Sequence, residues 1–133
     1  MGRFLRHLGG IIAGLVVGVF VIACVELISG MVYPLPAGVD PADTEALKLH
    51  IAQLPLGAFL FVLAAWGAGA FLGSWTATRL VTPRTPARGL IVGVVLLAAS
   101  VANMVMLPHP AWFWVAAVAT LVACTEAGRR LGA

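Results

Sequence analysis

The chain has 133 residues, 62% hydrophobic and 10% charged, with a formal net charge of +3. A soluble domain carries roughly 25% charged residues, so this composition cannot clothe a water-facing surface. At about 20 apolar residues per crossing the length holds four membrane spans and no sizeable soluble domain.

Four apolar segments follow one another at about 8–33, 56–79, 89–107 and 111–128. Each reads as a helix, because in lipid only helices and closed barrels satisfy every backbone polar group internally. The first follows Arg3 and Arg6 and passes through Val21, Ile22, Ala23 and Cys24, the ending of a lipoprotein signal. It then continues apolar through Leu27, Ile28, Met31 and Val32, too long for a signal core, and is read as an uncleaved span. Met1 and Gly2 do not make a myristoylation signal, since position 6 is Arg6. Next comes a connection at 34–55 that begins extended at Pro34 and Pro36. Within it Asp40 is expected to cap a helix over about 41–54 opening on Pro41. Leu47, Ile51 and Leu54 share one face of that helix and Glu45 and Lys48 point away, so it should lie along the membrane surface. The second span ends at Arg79. Arg84 and Arg88 separate it from the third, a Pro108-His109-Pro110 turn leads to the fourth, and Arg129 and Arg130 close the chain.

Three arginine groups therefore occupy one side of the membrane, and the positive-inside bias makes that side cytoplasmic. The expected protein is a multi-pass inner-membrane protein with both termini cytoplasmic and the 34–55 connection outside. Trp112 and Trp114 fall at the outer interface and Trp75 at the inner one, as aromatic belts require. The fold class is all-α, a single four-helix transmembrane domain over 1–133 with a short amphipathic helix on its outer face.

Residues 14–19 read GLVVGV and residues 89–94 read GLIVGV, each leading to a Pro-x-Pro. This suggests a duplicated helical hairpin, with its copies related by an axis along the membrane normal. Gly10, Gly14 and Gly18 recur every fourth residue in the first span, as do Ala65, Gly69, Gly73 and Ala77 in the second. Small-residue stripes let helix backbones approach closely in lipid. Packing within one chain is preferred over a dimer seam.

Polar residues inside the spans are few. Glu126 precedes Arg129 and Arg130 by three and four residues, the spacing of an ordinary helical ion pair. Glu26 lies about 10 Å below Tyr33 with no basic residue nearby, and it continues the face of Gly18 and Ile22. An ionised group at that depth costs roughly 3 kcal/mol, so it should have a partner or a task. Asn103 lies about 7 Å from the outer end of its span, on the face of Gly93 and Ser100. His109 and His50 lie above, and Tyr33 is placed to close the rim. Two readings stand beside each other: a protonated Glu26 clasped to Asn103 as a structural register pin, or an outward-facing site formed by Glu26, Asn103, His109 and His50. Such a site would bind or carry a proton, cation or small cationic solute, with pH dependence, since a cation competes with the proton for the carboxylate. Two histidines and a carboxylate would suit zinc, although the spacing is no recognised ligand motif. Trp66, near mid-membrane, either fills space beside the small-residue stripe or floors a cavity under Glu26.

The chain lacks deep histidines for haem, paired cysteines for disulfide exchange, a phosphate-binding glycine loop, a nucleophile elbow and an HExxH motif. A non-enzymatic protein without a cofactor is expected. Its partners are the lipid bilayer and, given its size, further copies of itself or a larger membrane complex in which it would be an accessory subunit. Nothing points to nucleic acid. Size, four spans and a first-span glutamate resemble the small multidrug resistance transporters in architecture alone. The segments VELISGMVYPLPAGVDPADTEAL, LPLGAFLFVLAAWGAGAFLGSW and ANMVMLPHPAWFWVA resemble a group of small bacterial four-span membrane proteins of unknown function. That resemblance implies a bacterial inner-membrane location and no particular activity.

Overall fold

All eight prolines stand outside helix interiors, so nothing interrupts the backbone ladders of the apolar runs. The computed structural model describes residues 1–133 as five helices and no strand: α1 (Gly2–Val32), α2 (Thr44–Ala52), α3 (Leu56–Arg79), α4 (Pro86–Met106) and α5 (Ala111–Gly132). All but α2 are long and apolar enough to cross a membrane, which makes the chain a small multi-pass membrane protein. At 31 residues α1 is about 46 Å long, more than the hydrocarbon thickness, so its Arg3, Arg6 and His7 turn extends beyond the apolar layer.

Several boundaries differ from expectation, the largest being that α1 begins at Gly2 rather than near residue 8. Asp43, not Asp40, caps α2: its Oδ1 accepts from the backbone N–H of Glu45 (3.1 Å) and Ala46 (3.2 Å). The Asp40 carboxylate is taken up by the N–H of Ala42 at 2.8 Å, closing a turn, and the helix starts at Thr44, three residues later than expected, and ends at Ala52. α5 continues to Gly132, because Glu126 pairs with both Arg129 and Arg130 along its last turns. α4 begins at Pro86, whose fixed φ suits a first helical position, and Arg88 thereby lies inside the helix rather than in the connection.

α3 is the central helix. It packs on α1, α4 and α5, while α1 and α5 do not touch. The two small-residue stripes meet each other: Gly14 faces Gly73, and Gly18 faces Gly69. A Cβ on Gly14 would lie 2.6 Å from the Gly73 carbonyl oxygen, and one on Gly69 would lie 2.7 Å from that of Gly18. The stripes therefore form an intramolecular seam. In the second hairpin Gly93 lies against Thr125 on α5, whereas Gly89 meets Thr78 and Ser74 of α3 more closely than Arg129 of α5. The symmetry is not strict, however. The Ser74 hydroxyl of α3 donates to the Gly89 carbonyl at 3.0 Å and draws α4 onto α3, a contact without a counterpart between α1 and α5. The apolar core, including Phe59, Trp66, Leu96, Phe113 and Leu121, lies among α3, α4 and α5. α1 contributes only Gly10, Gly14 and Gly18 to the buried set. Ile51 and Leu54 from the α2 segment close the end of that core opposite the termini.

Candidate functional site

The glycine seam holds α1 against α3 as far as Ile22, whose side chain rests on Gly69. One turn further on the same face comes Glu26. Across from it, α4 presents Leu96, Ser100 and Asn103 at successive turns. The two helices border a cleft of about 210 Å³ lined by Glu26, Asn103, Ser100, Trp66, Ile22 and Leu96 among others. Glu26 and Asn103, expected at matching depth, thus line one cleft. Both side chains are exposed, neither makes a hydrogen bond, and no basic residue lines the cleft. The Glu26 to Asn103 clasp is not formed. Trp66, only 5% exposed, combines the two roles weighed for it: it packs in the core and lines the Glu26 cleft.

The histidines stand elsewhere. In the Pro-His-Pro turn the His109 Nδ1–H donates to the Leu107 carbonyl at 2.9 Å. This turns the ring inward, stacked on Phe113 at 4.8 Å between centroids and 6.4 Å from Trp66. His109 lines a second cleft, also about 210 Å³, with Ile51, Leu54, Phe59, Pro108 and Pro110. His50 is half-buried on α2, where its carbonyl accepts from the backbone N–H of the C-cap Gln53, and it lines neither cleft. Tyr33 packs edge-on to Phe61, and its hydroxyl lies over Gly57 rather than over the Glu26 cleft. No three His, Cys, Asp or Glu side chains come together in a metal-holding group, so the zinc arrangement of two histidines and a carboxylate is not formed.

A carboxylate without an internal partner, beside an amide, a hydroxyl and an indole, can do specific things. The carboxylate attracts positive charge, Asn103 and Ser100 can orient polar hydrogens or lone pairs, and the indole face favours a cation through its quadrupole. Two features escaped the sequence reading. One is that Trp66 lines the Glu26 cleft and also lies 6.4 Å from His109, which lines the other cleft. The other is that Arg88 is buried, 1% exposed. The signal for the second is present in Thr85-Pro86, an N-cap and first-turn proline that put Arg88 on the same helix as Gly89. No protein family, curated protein or solved structure matches the chain.

Proposed function

We propose that the chain is a non-enzymatic inner-membrane protein, termini cytoplasmic, whose Glu26 cleft faces outward and binds a proton, a cation or a small cationic solute. One observation carries this reading: Glu26 and Asn103, from different helices, share a cleft with Trp66 in which the carboxylate has neither a basic neighbour nor a hydrogen bond. An acid at membrane depth calls for positive charge, and when none comes from the chain an external cation or a proton can supply it. A volume of about 210 Å³ beside an indole suits a small alkylammonium group. Passage across the membrane would need a second copy or a partner, since the cleft is local to the α1 and α4 border. A second reading, an accessory subunit of a larger membrane complex, is favoured by the long apolar flank of α1, where Val16, Phe20, Leu27 and Met31 are exposed.

The test compares wild type with Glu26→Gln, which keeps shape and hydrogen-bonding capacity but removes the charge. Folded yield is measured beside pH-dependent cation binding and flux in liposomes. Normal folding with lost binding is expected. Unchanged binding and flux, or a loss of stability alone, would move the assignment to the accessory reading.

A further inference from the structure

The end of the bundle that carries both termini has an excess of positive charge which the chain itself cannot balance. Of five carboxylates, Asp40, Asp43 and Glu45 belong to the 34–55 connection, Glu26 lies near the other end of α1, and Glu126 is held by Arg129 and Arg130. At this end α1 and α4 run parallel, both starting here, and a cleft of about 410 Å³ opens among Arg3, Arg6, His7, Pro83 and Arg88. No carboxylate lines it.

Arg88 is the decisive residue. It is 1% exposed, and its Nη2 shares two N–H groups among three acceptors: the Val81 carbonyl at 2.9 Å, the Pro83 carbonyl, and the Thr85 hydroxyl at 3.1 Å. Its Nε and Nη1 have no acceptor. Those two nitrogens carry three N–H groups, and a buried guanidinium with no anion and these three donors unpaired is strongly disfavoured. Nη1 lies beside Gly10, one helical turn from Arg6 and His7 on α1. The first turns of α1 and α4 add the positive ends of two helix dipoles.

We infer that this cleft is a binding site for a phosphate oxyanion, which Arg88, Arg3 and Arg6 hold. The phosphodiester of an anionic phospholipid headgroup and free phosphate share the required chemistry. A cleft at the end of a membrane bundle, on an arginine-rich face, is placed where headgroup phosphates lie. The site is distinct from the Glu26 cleft in position and in sign of charge.

Arg88 also fastens the 81–85 connection, so its replacement would confound binding with folding. Arg3 and Arg6 are exposed. The full chain, purified in mild detergent, is titrated with phosphatidylglycerol, with phosphatidylcholine of the same acyl chains, and with inorganic phosphate, and bound species are counted by native mass spectrometry. Arg3→Gln/Arg6→Gln is compared with Arg79→Gln/Arg84→Gln, which removes the same charge from the same end but outside the cleft. Expected are one tightly held phosphatidylglycerol per chain, a loss of about tenfold or more in the first variant and of less than about twofold in the second. Saturable inorganic phosphate binding that only the first variant loses, without preference between the two lipids, would uphold the oxyanion site and assign it to soluble phosphate. Equal losses in the two variants, or no preference for any phosphate-bearing anion over phosphatidylcholine, would overturn the inference.

Discussion

The indole of Trp66 lies 6.4 Å from the imidazole of His109, centroid to centroid, and the same indole lines the cleft that holds Glu26. It is at once part of the aromatic core, with Phe113 at 5.6 Å, and the apolar boundary of a polar site. Replacement should separate these roles. Trp66→Ala empties a core position and should cost about 3–5 kcal/mol of stability, measured by reversible unfolding in detergent. Trp66→Phe retains much of the packing but presents a weaker cation-binding face. Its affinity for a small alkylammonium should fall several-fold, in line with a cation–π term of about 0.5–1 kcal/mol. Unaltered affinity in Trp66→Phe would remove the indole from the binding site.

The α1 and α3 seam has no room for a methyl group at its centre. On Gly14 a Cβ would come within 2.6 Å of the Ala77 Cβ as well as of the Gly73 carbonyl oxygen. Gly14→Ala should therefore destabilise the protein by about 1–3 kcal/mol through overpacking. Gly30→Ala, on the same helix but with nothing within 4 Å of the new carbon, should be neutral or slightly stabilising. Equal effects from the two substitutions would mean that the seam is not closed.

The two aspartates before α2 have unequal roles. Asp43 accepts from two first-turn N–H groups, whereas Asp40 serves a single turn. Asp43→Ala should destabilise α2 locally by about 1 kcal/mol, seen as faster amide exchange over its first turns. Asp40→Ala should leave that exchange nearly unchanged.

Orientation is open to direct measurement. In a background lacking Cys24 and Cys124, a cysteine at position 45 should react with an impermeant maleimide in intact cells. A cysteine at position 84 should react only after permeabilisation. The reverse pattern would invert the protein and, with it, the outward direction of the Glu26 cleft.

Much of the fold is legible in the residues because the bilayer imposes a length and a polarity, and apolar runs of about 20 residues suit spanning helices rather than the shorter strands of a barrel. The recurrence of Gly14 and Gly18 opposite Gly69 and Gly73 similarly points to the seam that forms. Half of the candidate site is legible too: counting 1.5 Å per residue from the span ends brings Glu26 and Asn103 to one depth, and helical periodicity brings them to one cleft. The other half depends on side-chain directions that depth does not determine. His109 is at the end opposite the termini, but its bond to the Leu107 carbonyl and its stacking on Phe113 turn the ring toward the core. Arg88 is hidden for a related reason. A count of arginines near span ends gives topology, and it is blind to whether a guanidinium faces water or, as here, carbonyl groups and Gly10.

Cation binding at Glu26 can be observed on the carboxylate itself. The chain contains three glutamates, Glu26, Glu45 and Glu126, so labelling glutamate with carbon-13 at the side-chain carboxyl yields three signals, and Glu26→Gln identifies one of them. The protein in lipid nanodiscs is titrated with tetramethylammonium at fixed pH and ionic strength. The expected result is a saturable shift of the Glu26 signal alone, absent from Glu26→Gln. A Glu26 signal that does not move, or that moves linearly in parallel with those of Glu45 and Glu126, would contradict a cation site in the cleft.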